Sequence, residues 1–151
     1  MTEYGFERAS DEVIIIRNSL ADRVIKALKD AGLPAFREGE EGVAGQGGAV
    51  IRVEPDAETI SAAVSVGWRC DASQISAALE DVTSGLTDTP NIHYPGRIGL
   101  RMQLPIIRIL LSSGIIATPS DDDMNPDHIL VFGQMSDLPP GLRPSFVPPN
   151  D

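Results

Sequence analysis

Apolar residues first recur at helical spacing in SDEVIIIRNSLADRVIKALKDAG, where Val13, Ile16, Leu20, Val24 and Leu28 fall on one side of a helix. Ser10 stands at the N-cap, with Asp11 and Glu12 in the first turn to complement the positive end of the helix dipole. Gly32 and then Pro34 stop it. From there the period shortens. Residues 35–39 predict a short strand and AVIRVEP a second, and the glycine-rich GEEGVAGQGG between them predicts a hairpin with a long, mobile loop. Val64, Val66, Trp68 and Cys70 then alternate as a half-buried third strand, after a turn or a single helical turn begun at Asp56.

Asp71 is placed to cap a second helix over ASQISAALEDVTSG, with Ile75, Leu79 and Val82 as its apolar face. TDTPNIHYPG reads as turn chemistry. GRIGLRMQLPIIRILLSSG reads as a third helix ending at Gly114, and Pro105 within it predicts either a kink or a start in its first turn. Met102, Ile106, Ile109 and Leu110 line one side of this helix, and Leu100, Leu104, Ile107 and Leu111 carry the apolar surface most of the way round. Such a helix belongs between the sheet and another helix, or between the sheet and a second copy of the chain. IIATPS and HILVF predict two further strands, and SDLPPGLRPSFVPPND is too rich in proline for a ladder. The order predicts an α+β fold, a mainly antiparallel sheet of about four or five strands with three helices packed on one face. Residues 1–136 form the domain in this reading. Residues 137–151 form an extended or disordered tail, dispensable for folding.

Composition supports one core: the chain has 151 residues, 42% hydrophobic and 23% charged. Twenty-two acidic against 12 basic residues give a formal charge of −10, which repels nucleic-acid phosphates and anionic lipid. MTEYGFERAS lacks the basic and apolar regions of a signal peptide, and the longest apolar run, residues 104–116, is too short to span a bilayer and contains Arg108. The expectation is a soluble, cytoplasmic protein without a nucleic-acid or membrane partner. Cys70 is the sole cysteine, so an internal disulfide is excluded.

Candidate chemistry concentrates in SDDDMNPDHILVF. Asp121, Asp123 and Asn125 match the first three ligand positions of an EF-hand loop, but Pro126 stands where that loop needs glycine and Phe132 where it needs a bidentate glutamate. Asp121, Asp123, Asp127 and His128 remain as candidate ligands for Ca²⁺ or Mg²⁺, set against a plain polar turn between strands. No cofactor is expected. Cys70 with His93 or His128 and an aspartate has the makings of a nucleophilic triad, without local support for it. The glycines at 45, 47 and 48 lack the phosphate-binding fingerprint and sit beside Glu38, Glu40 and Glu41. Arg97, Arg101 and Arg108 fall within about 40° of arc on a helix, a basic stripe on an acidic chain. It is read either as a solvated face, or one ion-paired with the 121–123 turn, or as a contact for an anion or an acidic peptide. With Leu104, Ile107 and Leu111 it makes the candidate binding surface.

In composition and layout, including VSVGWRCDASQIS and SSGIIATPSDDD, the chain resembles small conserved proteins of unknown function from high-GC Gram-positive bacteria and their phages. The element order is similar to the type III secretion chaperone-like fold, with an extra helix and the proline-rich tail added. That resemblance implies a small, acidic, often dimeric binder of other proteins. The expectation is a non-enzymatic protein-binding module, adaptor, chaperone-like or regulatory, whose partner is another protein, with a homodimer contact along the third helix. Two alternatives stay open: a small hydrolase or metal-dependent enzyme using the Asp121–His128 cluster, and a nucleic-acid mimic with carboxylates spaced like phosphates.

Overall fold

The structure is a computed structural model and describes residues 7–59 and 61–148; the expectations that fall on residues 1–6, Ile60 and 149–151 lie outside the described residues. It is an α+β fold with a five-stranded mixed, mostly antiparallel sheet. In chain order come α1 (Asp11–Asp30), β1 (Ala35–Arg37), β2 (Gly48–Val53), β3 (Val64–Arg69), α2 (Ala72–Thr83), α3 (Pro90–Ser112), β4 (Ile115–Pro119) and β5 (Ile129–Gln134), then short 3-10 turns at Met135–Asp137 and Pro140–Leu142. The strands lie in the order β1-β2-β3-β5-β4.

Helix α1 begins as its cap signals demand, the Ser10 hydroxyl accepting from the Val13 N–H. Its apolar face is only half used. Ala21, Val24 and Leu28 are buried, whereas Val13, Ile15 and Ile16 are exposed. The first turns run beside the 54–57 segment, where the Arg17 Nη1 donates to the carbonyls of Glu54 (2.8 Å) and Asp56 (2.6 Å), and a guanidinium anchor leaves the neighbouring isoleucines outside the core.

The expected β1–β2 hairpin is corrected. The two strands pair parallel, Ala35 with Ala49 and Arg37 with Ile51, so residues 38–47 must carry the chain back along the sheet before β2 starts. This return is anchored: the Arg69 guanidinium donates to the carbonyls of Gln46 (2.8 Å) and Val43 (2.6 Å) and stacks on the Phe36 ring, and Ala72 N–H reaches the Gly45 carbonyl. The other neighbours pair antiparallel, with a bulge in β4 between Ile116 and Ala117. That bulge, together with Pro119, blunts the β4 edge against further strand pairing.

Register sets the two faces of the sheet. Ala49 and Ile51 of β2, Val64 and Val66 of β3, and Ile129 and Val131 of β5 share one face, and they form one cluster with Val24 and Leu28 of α1 and Ile106, Ile107 and Leu110 of α3. Arg52, Ser65, Gly67, His128 and Leu130 belong to the opposite face, which these helices leave open. Helix α2 lies against α3 and buries none of its residues; Leu79 and Val82, expected on a packed face, are exposed.

Helix α3 starts earlier than expected. Residues 90–96, read as turn, form its first two turns, because Thr89 accepts from the Ile92 N–H and Pro90 occupies the first helical position, where a missing N–H costs nothing. Thr89 also donates to Asp81 of α2 (2.6 Å), joining the two helices. Pro95 and Pro105 both lie inside the helix, which runs on through them. Neither can serve the carbonyl four residues before it, so those of Asn91 and Arg101 lose their intrahelical donors.

The segment after β5 is ordered by contacts that composition does not announce. Met135 N–H donates to Gly114, Arg143 Nη2 to Leu138, and Val147, 9% exposed, packs its methyl groups beside Gly114. Truncation before Pro144 is therefore expected to lower stability by about 2 kcal/mol and the thermal midpoint by roughly 4–8 °C in calorimetry. An unchanged midpoint would show that this docking contributes nothing.

Candidate functional site

The acidic turn and the open face of the sheet meet in one cavity of about 330 Å³. Its floor is a row across the sheet in which Arg52 opposes Ser65 and Ser65 opposes Leu130. One row further along, His128 approaches Gly67: a Cβ at position 67 would come within 3.2 Å of the imidazole Nε2, so glycine there is what lets the ring come this close to the strand. Ser61 and Ala62 wall one side and the 120–125 turn the other.

The turn is folded by its own side chains. Ser120 N–H donates to the His128 carbonyl and closes the β4–β5 connection, while the Ser120 hydroxyl accepts from Asp122 N–H (3.1 Å). Asp122 in turn accepts from the Met124 N–H (2.9 Å) and the Asn125 side-chain amide (3.2 Å). The Met124 N–H chiefly, then Asn125, and more weakly the nearby His128, hold the Asp122 carboxyl below the usual carboxylate range. From α3, Gln103 donates to the carbonyls of Pro126 (2.9 Å) and His128 (2.8 Å) and pins the end of the turn.

This geometry divides the residues expected to act together. Asp121 and Asp123 are exposed and outside the cavity. Asp127 turns the other way, to the place on α3 where Gly99 has no side chain; a Cβ there would meet its Oδ2 at 2.5 Å. Only His128 of the four faces the cavity, joined there by Asp122 of the same turn and by Glu54. Alternation along the strand separates Asp127 from His128, a consequence legible in the sequence once the strand start is placed at 128. Among the described residues no group of three or more His, Cys, Asp or Glu side chains is arranged to hold a metal ion.

Arg52 is held at the cavity by Glu54 (2.9 Å) and, more loosely, Glu38 (3.4 Å), and the Glu54 hydrogen bond raises the guanidinium further above its ordinary range. Neither the His128 ring nor the Ser65 hydroxyl has a hydrogen-bond partner among the described residues. Cys70 is buried, burial pushes its thiol up, and it continues the inward parity of Val66 and Trp68, away from His128. His93 pairs instead with Asp88, in the connection between α2 and α3.

The basic stripe of α3 is present on the surface. Arg97, Arg101 and Arg108 are exposed and make no ion pair or hydrogen bond among the described residues, although Arg108 shares a shallow groove with Asp30. Leu104, 53% exposed, and Leu100, 50% exposed, border the stripe on one side. Ile107 is 6% exposed and belongs to the core; Leu111 is half-buried under the tail beside Met135, Pro144 and Phe146. No helix among the described residues is long and apolar enough to cross a membrane. Comparison with protein-family models, with curated proteins and with solved structures finds no match.

Proposed function

We propose that the protein is a non-enzymatic binding module that holds an acidic, amphipathic segment of another protein along the outer face of α3. The observation that carries this reading is the stripe itself: three arginines without partners among the described residues stand beside Leu104 and Leu100, both about half exposed, on a chain of net charge −10. An isolated solvated face would gain little from keeping leucines beside its charges, whereas arginine and apolar residues together are what interface centres favour. Pro105 adds an acceptor at the same place, because the Arg101 carbonyl has lost its intrahelical donor. A partner carrying carboxylates around an apolar stripe answers the arginines and the leucines, and an amide or hydroxyl donor on the same partner answers the Arg101 carbonyl.

The test is capture from the source organism by the tagged chain, followed by affinity measurement of the recovered partner against wild type and against Arg101→Glu/Leu104→Glu. The expected result is an acidic partner whose affinity falls at least tenfold, about 1.4 kcal/mol, in the double variant and weakens with added salt. A partner that binds the variant and the wild type equally would refute the surface. Sedimentation decides between this occupant and a second copy: a wild-type dimer that the same variant converts to a folded monomer would assign the stripe to self-association.

A further inference from the structure

We infer that the cavity on the open face of the sheet is a binding site for a small, neutral, polyhydroxylated molecule of monosaccharide size. At about 330 Å³ it has the capacity of a small-ligand site, and it lies on the sheet face turned away from the α1–α3 core. The inference is therefore independent of the α3 surface.

The chemistry of the lining selects the class. Glu54 and Asp122 offer acceptors only, and two carboxylates facing one small cavity repel a phosphate or carboxylate ligand. A simple cation is disfavoured in turn by Arg52, which lines the same cavity with its guanidinium bonded to Glu54. What remains unspent is a mixture of donors and acceptors: the second lone pairs of the two carboxylates, the Ser65 hydroxyl, the side-chain Oδ1 of Asn125 and both nitrogens of the His128 ring. A ligand hydroxyl both donates and accepts, so a ring of hydroxyls matches such a lining where an ion of either sign does not. Leu130 and Ala62 supply the apolar contact that the C–H face of a sugar or cyclitol needs.

The His128 ring is the sharpest sign. It lines the cavity beside Gly67, and neither nitrogen is bonded among the described residues, so both are open to a ligand hydroxyl. The 120–125 turn supports the arrangement, since its internal bonds orient Asp122 toward the same cavity without using up its acceptor capacity.

The test is saturation-transfer and ¹H–¹⁵N shift mapping on the full chain with D-glucose, D-galactose, D-mannose, D-ribose and myo-inositol, with inorganic phosphate and 1,4-diaminobutane as contrasting probes. At least one polyol is expected to bind saturably with a Kd of about 1 mM or below, shifting the amides of residues 65–67 and 120–128. His128→Ala and Ser65→Val should each weaken it at least tenfold with the thermal midpoint retained. Asp122→Asn, at an exposed position, provides the same reading should either variant fold poorly. The inference is overturned if no polyol binds more tightly than about 10 mM, if phosphate or the diamine binds there instead, or if polyol binding survives the substitutions unchanged.

Discussion

Gly48→Ala is expected to destabilise the fold by about 4 kcal/mol and to lower the thermal midpoint by roughly 10 °C or more. Gly48 opens β2 with φ +148°, a conformation that residues bearing a Cβ rarely adopt. The space is closed as well. A Cβ there would stand 2.7 Å from the Pro34 carbonyl oxygen and 2.8 Å from the Pro34 Cβ, and this carbonyl is the one that accepts from Ala49 N–H at 2.8 Å. Backbone would have to move, and the backbone concerned carries the first bond of the parallel β1–β2 pair. Gly39→Ala is the matched control: φ is +76° there but nothing lies within 4 Å of the added methyl group, so the expected cost is about 1 kcal/mol, from strain alone. Equal losses at the two positions, measured by denaturant titration, would show that the Pro34 contact yields freely and does not fix the strand.

The second large effect separates two neighbours on α3. Ile107→Glu is expected to cost more than about 4 kcal/mol and to leave little folded protein, because the carboxylate would enter a cluster made by Val24, Leu28, Ile51 and Val131 with no partner for its charge. Leu104→Glu, three residues away, is expected to stay within about 0.5 kcal/mol of wild type, since that side chain is already half in water. Circular dichroism and calorimetry of both variants check the pair. The contrast matters for the proposed function: Leu104 is available for a partner and Ile107 is not. A Leu104→Glu variant that unfolds would mean that this side of the helix is covered in the folded chain and would remove the surface on which the proposal stands.

How much of this was legible beforehand depends on the range of the interaction concerned. Local chemistry determined the caps of α1 at Ser10 and α2 at Asp71, the stop at Gly32, and the alternation of Val64, Val66 and Trp68, because each rests on residues within a turn or a strand of one another. Thr89–Pro90 was an equally local signal for the start of α3, obscured by the prolines around it. Even the presence of an arginine stripe followed from helical spacing alone.

What the tertiary structure decided is everything that depends on which segment lies opposite which. Two short strands on either side of a glycine-rich stretch carry the same pattern whether they pair as a hairpin or in parallel, and here the Pro34–Ala49 bond and the Arg69 anchors select parallel. Helical spacing placed Ile16 and Ile107 on apolar faces alike; only the position of the sheet buries one and exposes the other. In the acidic turn, four aspartates are equivalent in sequence. The direction in which β5 leaves that turn sends Asp127 to Gly99 and His128 to Gly67, and so makes Asp122, among the four, the aspartate that shares the cavity with the imidazole. Periodicity is written residue by residue along the chain, whereas the partner across a sheet or a cavity is set by contacts far apart in sequence, which no single segment encodes.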